Sequence, residues 1–277
     1  MPRPIWSGFI SFGLINIPVK LFTAVKQKTL RFHQLRSSDG CRIRLKKICE
    51  TDGHEVSSAE IVKGYEVSPD HYVTVTPEEL DAIMPKSNRA IEIDDFVVLD
   101  QIDPLYFEQP YYLSPDKGAA KAYSLLLSSL KQTGKVAIAR FILRNKQYLS
   151  TVRPSMDGRA LILSTMLYAD EIVSTNELDE FLVDHDQAKP SEREMNMAAQ
   201  LIESLTAVFE PDKYHDDYRK HVMTMLEKKA EGQTIAAKPT AAPTGKVIDL
   251  MAALEASLAA VKKPEKAKTG KKKQHAR

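Results

Sequence analysis

The spacing of apolar residues changes once along this chain, and that change limits what it can fold into more than any composition figure. Up to about residue 170, apolar positions come in short runs that alternate or nearly alternate; after about residue 187 they recur every third or fourth residue. YVTVT (72–76) and AIEI (90–93) alternate, and FVVL (96–99) is a short apolar run. KVAIARFILR (135–144) alternates in part while carrying basic residues, and RALILSTM (159–166) has the pattern of a half-buried strand. The opening stretch, IWSGFISFGLINIPVKLF (5–22), has one charge. A membrane span needs about 20 apolar residues, and Gly8, Gly13, Asn16 and Pro18 interrupt this one. No small-residue cleavage site follows it, so no export signal is expected. Two short strands around Gly13 to Asn16 fit best. One helix breaks the strand pattern, from Ala119 to Thr133, with Tyr123, Leu126, Leu127 and Leu130 on one face and Gly134 as C-cap. Many short strands with turn signals predict a barrel or a sandwich.

The later part reads differently. SERE (191–194) is a capping box, followed by Met197, Leu201, Leu205 and Val208 at helical spacing, with Pro211 ending the helix. A second helix, from about Asp212 to Glu231, puts Tyr214, Tyr218, Val222 and Met225 along one stripe. GQTIAAKPTAAPTGK (232–246) has linker composition. Beyond it Val247, Met251, Leu254, Leu258 and Val261 form an apolar stripe on a helix too short to be stable alone, which suits docking on its own domain or in a partner's groove. The last residues, 262–277, are disordered by composition and basic, with Lys271, Lys272 and Lys273 in a row.

The 277 residues carry a net charge of only +2, yet the charges are segregated. Residues 1–50 hold 10 Lys/Arg against 2 Asp/Glu, 51–110 hold 3 against 14, 111–160 hold 9 against 2, 161–231 hold 7 against 16, and 232–277 hold 10 against 3. Such alternation fits a polyanion site beside surfaces that repel one. Two cysteines, Cys41 and Cys49, exclude a disulfide scaffold and fit a reducing cytoplasm.

Catalytic signatures fail on inspection. SSLKQTGK lacks the glycine and the Ser/Thr that a phosphate loop requires. SSLK as a Ser-x-x-Lys nucleophile finds no Ser-Asp-Asn, and the only Lys-Thr-Gly lies in the tail. Cys41, Cys49, Asp52 and His54 lack the Cys-x2-Cys knuckle of a zinc site, and Asp94 with Asp95 is too sparse for a nuclease. No metal and no cofactor are predicted.

The cations are more informative. Lys20, Lys26, Lys28, Arg31, Arg36, Arg42, Arg44, Lys46 and Lys47 follow the apolar opening, and Arg42, Arg44 and Lys46 alternate, as on one face of a strand. Lys135, Arg140, Arg144, Lys146 and Arg153 form a second set. Rows of Arg and Lys on strands, without stacking aromatics, suit phosphate tracking along a duplex. No recognition helix or zinc finger supplies base readout.

Several segments, in order, closely resemble bacterial Ku, the DNA-end-binding family of non-homologous end joining. They include IWSGFISFGLINIPVKLF, RFHQLR, RIRLKKICETDGHEV, EIVKGYEV, YVTVTPEEL, IEIDDFV, IDPLYFEQPYYLSPD, KAYSLLLSSLKQTGKVAIARFILR and FEPDKYHDDYR. The likeness runs from residue 3 to about 231, and VIDLMAALEASL resembles the family's short ligase-contacting region. The resemblance implies a mixed β/α fold: a β-barrel core with bridging strands that form a DNA-encircling ring in the homodimer, a C-terminal helical arm and a flexible basic tail. On that reading residues 1–186 are the core and bridge, 187–231 the arm, 232–246 a linker, 247–261 the ligase-contacting helix and 262–277 the tail. It implies no catalysis, double-stranded DNA ends as ligand, an ATP-dependent multifunctional DNA ligase as partner, no membrane, and a cytoplasmic, nucleoid-associated location. The basic residues above become candidate channel liners, and Val247, Met251, Leu254 and Leu258 candidate ligase contacts. Some relatives carry Cys-x-x-Cys where this chain has CETD (49–52), so no metal is expected there.

Overall fold

A computed structural model describes residues 3–83, 89–177, 189–232 and 250–261. The chain divides into two compact units, residues 1–174 and 175–277. The first contains a closed seven-stranded barrel and, separately, a two-stranded hairpin.

The apolar opening forms β1 (Trp6–Phe12) and β2 (Ile15–Thr23), with Gly13 at the turn in the left-handed region, φ 57°. Alternation puts Ile10, Ile17, Val19 and Leu21 inside. Three more barrel strands match the alternating segments: β5 (Ala90–Val98), β7 (Lys135–Leu143) and β9 (Leu161–Met166). Two others, β6 (Phe107–Pro115) and β8 (Lys146–Pro154), lack a clean alternation, β6 because two prolines and two tyrosines replace it. The β7–β8 hairpin turns on Arg144 and Asn145, both with positive φ, so the predicted strand 135–144 stops one residue early.

The order around the barrel is β1-β2-β6-β9-β8-β7-β5, and a parallel pairing of β1 with β5 closes it. Gly8 makes that seam possible. Phe9 N–H donates to Arg89 O at 2.9 Å, and a Cβ on Gly8 would come within 1.9 Å of the same carbonyl oxygen. Inside lie Phe141, Ile91, Leu113, Val152, Leu161 and Leu163. The helix α2 (Ala120–Thr133), ended by Gly134 at φ 65°, joins this core through Tyr123, Leu126 and Leu130. The Tyr123 hydroxyl donates to Leu113 O and accepts from Leu161 N, each at 2.7 Å, tying α2 to β6 and β9.

Between β2 and the separate hairpin of β3 (Lys63–Ser68) and β4 (His71–Val75), the chain has no strand or helix, only two isolated bridges. The expected strand over 42–46 does not form: Arg42 makes one bridge to Leu35 and the rest is irregular. Instead the segment contains a duplicated turn. QLRSSDGCRI (34–43) and KICETDGHEV (47–56) repeat at an offset of 13 residues. In the first, Gly40 N–H donates to Arg36 O at 2.8 Å, Cys41 N–H to Asp39 Oδ1 at 3.0 Å and Ile43 N–H to Gln34 O at 3.0 Å. In the second, Gly53 donates to Cys49 O at 2.9 Å, His54 to Asp52 Oδ1 at 3.0 Å and Val56 to Lys47 O at 2.9 Å. Gly40 and Gly53 have φ of 70° and 71°, which an L side chain would resist. A short helix, α1 (Pro77–Ile83), follows β4, whereas the sequence pattern predicted a single helix, at 119–133, before residue 170.

In the second unit, Ser191 caps α3 (Glu192–Leu205) through the predicted capping box. The helix ends at Leu205, six residues before Pro211, because Thr206 already adopts extended backbone; Val208 lies outside it. The second helix, α4 (Asp217–Ala230), starts later than expected, with Asp216 accepting from Arg219 N–H. α5 (Leu250–Val261) packs against α3. Among the described residues no helix is long and apolar enough to cross a membrane.

Candidate nucleic-acid interface

The structure sorts the predicted cations into two groups. Lys20, on the outward side of β2, pairs with Asp116 at 2.6 Å, and Lys46 with Glu55 at 2.6 Å. Arg36 is bound to Asp39 within the first duplicated turn. Arg140 on β7 meets Asp94 on β5 in a two-pronged contact, Nε to Oδ2 at 2.8 Å and Nη2 to Oδ1 at 2.7 Å. The guanidinium holds the Asp94 carboxyl below the usual carboxylate range, Lys20 does the same to Asp116, and Arg36 to Asp39. Lys146 stands over the ring of Tyr148, 5.1 Å from its centroid, with Glu171 at 3.9 Å. Arg153 is half-buried and donates to Pro154 O at 3.4 Å.

Lys26, Lys28, Arg31, Arg42 and Arg44 are different. All five are exposed, and among the described residues none has a carboxylate within ion-pair distance. They lie together on the segment between β2 and β3, which has no layer of its own to protect. Lys135 and Arg144 are also exposed and unpaired with any described carboxylate, at the start of β7 and at the β7–β8 turn. Unpaired cations are the ones ready for a phosphate, since a paired one must first give up its carboxylate. The predicted residues Lys271, Lys272, Lys273 and Val247 lie outside the described residues.

The carboxylate partners escaped the sequence reasoning. Asp39 was within reach of it, three residues from Arg36, but Asp94 and Arg140 are 46 positions apart and Lys20 and Asp116 are 96 apart. The strand pairing of β5 with β7 makes the first of these contacts.

The same segment is also rich in exposed apolar side chains. Leu45 is 91% exposed and Phe32 68%, and Leu35, Ile43, Ile48, Ile61 and Val62 are open as well. On the hairpin Tyr65, Tyr72 and Val73 are exposed. A surface that combines free cations with this much open apolar area is built to be covered.

The duplicated turns also decide how the cysteines sit. Cys41 closes the first turn and Cys49 opens the second, and both are free thiols. His54 Nδ1 lies 3.3 Å from Asp52 Oδ2. Among the described residues no group of three or more His, Cys, Asp or Glu side chains is arranged to hold a metal ion.

A family model described as the Ku70/Ku80 beta-barrel domain matches residues 11–197, which takes in all seven barrel strands but the start of β1, the segment with the free cations, and the start of α3. This chain belongs to the Ku family. Among similar curated proteins, "Non-homologous end joining protein Ku" of Anaeromyxobacter sp. (strain K) is 53% identical over 264 residues, covering 95% of this chain and 87% of that one. The protein of the same name from Heliobacterium modesticaldum is 42% identical over 275 residues, 99% of this chain and 98% of its own. That from Opitutus terrae is 40% identical over 277 residues, with 97% and 98% covered. The closed barrel with helices is thus the Ku barrel, and the cation-bearing segment is an excursion from it between β2 and β5.

Proposed function

We propose that this protein binds the ends of double-stranded DNA without reading sequence, as a ring-shaped homodimer acting in non-homologous end joining. It protects the ends and recruits an ATP-dependent DNA ligase, without catalysis of its own. The observation that carries this reading is the set of five unpaired, exposed cations, Lys26, Lys28, Arg31, Arg42 and Arg44, on a segment that leaves the barrel. A segment with no sheet and no core of its own pays for its order only when laid against something else. Its cations suit phosphates, and its exposed leucines, isoleucines and phenylalanine suit a second copy of the same surface. Two such segments facing each other around a duplex give a ring, and a ring gains specificity for ends from topology, because a closed circle offers it no way on. The names of the relatives, non-homologous end joining proteins, support the same pathway. Leu254 and Leu258 of α5, with Met251, serve on this reading as the ligase contact.

The deciding experiment is competition for a labelled linear duplex by the same DNA, either cut or covalently closed. Competition by the cut form alone supports threading onto an end. Equal competition by the closed circle reduces the cations to an electrostatic coat and removes the ring. For the ligase arm, Leu254→Asp with Leu258→Asp leaves binding to DNA ends intact and abolishes stimulated ligation.

A further inference from the structure

α5 is apolar on almost every side: in LMAALEASLAAV only Glu255 and Ser257 are polar. A helix of this composition has to be covered, and at 12 residues it is marginal in isolation. Within the second unit it is covered by α3. The half-buried residues of α3 are Glu194, Met197, Ala198 and Leu201, spaced three and four apart on one face. Among the described side chains of α5, Met251, Leu254 and Leu258 are half-buried, again on one face, together with Ala253. Arg193 Nη2 lies 3.2 Å from Glu255 Oε1. Arg193 stands one turn before Met197, and Glu255 one turn after Met251, so this pair aligns the two apolar stripes. Between exposed partners it adds little attraction; it sets register.

We propose that α3 holds the apolar stripe of α5 closed within the chain, so that the ligase must displace α3 to reach Met251, Leu254 and Leu258. This rests on the reading of α5 as the ligase-contacting segment. The side chains that α3 covers are the same ones a ligase groove would take, and one stripe cannot serve two partners at once. If α5 is released about one-tenth of the time, the apparent affinity of the ligase is about tenfold below its affinity for the free helix. The device keeps an adhesive helix covered until a partner with a better groove arrives.

The test uses the full chain in a Cys41→Ser, Cys49→Ser background, with spin labels at Gln200→Cys on α3 and Ser257→Cys on α5. The free protein is expected to show a short interlabel distance that lengthens as an ATP-dependent DNA ligase saturates it. Arg193→Glu and, separately, Met197→Asp are expected to shift the free protein towards the long distance and to tighten ligase binding severalfold, up to about tenfold. Affinity for DNA ends is expected not to change. The proposal is overturned if the free protein lacks the short distance, if ligase binds with the short distance intact, or if both α3 variants lengthen it without tightening ligase binding. The Leu254→Asp, Leu258→Asp variant separates this from its parent reading. Ligase binding that survives that variant removes α5 as the contact altogether, and the closed state with it. Binding that is lost there, yet not improved by either α3 variant, removes only the closed state.

Discussion

Leu163 in the barrel wall is fully buried, while Leu45, on the segment after β2, is almost wholly exposed. The two leucines belong to regions of one unit built on opposite principles. In the barrel every strand has a partner on both sides, β1 and β5 close the last seam, and the interior side chains form one cluster. In residues 24–62 the backbone bonds close the two duplicated turns, a further turn at Ser57–Glu60 and two isolated bridges. In the barrel Arg140 is paired with Asp94 across strands and Lys20 with Asp116, whereas five cations of the segment have no carboxylate within ion-pair distance among the described residues. On the proposed reading the contrast separates stability from binding along the chain: the barrel supplies its own free energy of folding, and the segment is completed by the duplex and the second copy it meets.

Substitutions in the two regions should therefore be read by different instruments. The largest effect belongs to the barrel. Phe141→Ala empties a fully enclosed site and is expected to cost about 3–5 kcal/mol in denaturant unfolding, while Leu45→Ser is expected to change barrel unfolding by less than about 0.5 kcal/mol and, on the proposed ring reading, to shift sedimentation towards monomer. Equal losses of unfolding free energy from both would mean that the segment packs as core. Gly8→Ala belongs with Phe141→Ala, because its methyl group would collide with the Arg89 carbonyl at the closing seam.

Next comes Tyr123→Phe, which removes the donor to Leu113 O and leaves Leu161 N–H without its acceptor, for an expected loss of about 1–3 kcal/mol in the same unfolding measurement. For binding, the combined Arg42→Ala and Arg44→Ala change is expected to reduce the slope of log affinity against log salt by about 1.8, two phosphate contacts at about 0.9 each. Arg140→Gln, whose parent side chain is already committed to Asp94, is expected to leave that slope unchanged. A slope that falls for Arg140→Gln and not for the pair would invert this division of free and paired cations.

The smallest effect is acid sensitivity. The Asp94 carboxyl is held below its ordinary range in the folded chain, first by the hydrogen bonds from Arg140. Its contribution to stability is therefore present above the ordinary carboxylate value and is lost as pH falls through the depressed folded one. Unfolding measured below about pH 4 is expected to show a slightly shallower decline for Asp94→Asn than for the parent, as the pair is largely solvent-exposed and weak.

Much of this was written locally. Gly13 breaks the apolar opening into a hairpin, with Asn16 inside the second strand, Gly134 stops α2, and Ser191 with Glu194 starts α3, since turns and caps depend on residues within a few positions of each other. The duplicated turn is equally local: Asp-Gly occurs at 39–40 and again at 52–53 within matching frames, a repeat that comparing the chain with itself would reveal. β6 was hidden because its prolines and tyrosines mask the alternation, and its place between β2 and β9 is set by partners far away in the chain. Family membership was legible from the order of the segments, and so was the concentration of positive charge after β2. Which of those charges are free was not. That depends on carboxylates brought from 46 and 96 residues away by strand register and by the path of the chain around the barrel. The choice of a closed barrel over a sandwich likewise waited for β1 to meet β5 in parallel beside Gly8. Residue type and short spacing determine turns, caps and the sign of a charge, because those energies are local; closure and pairing are properties of chain segments that meet only after the fold has brought them together.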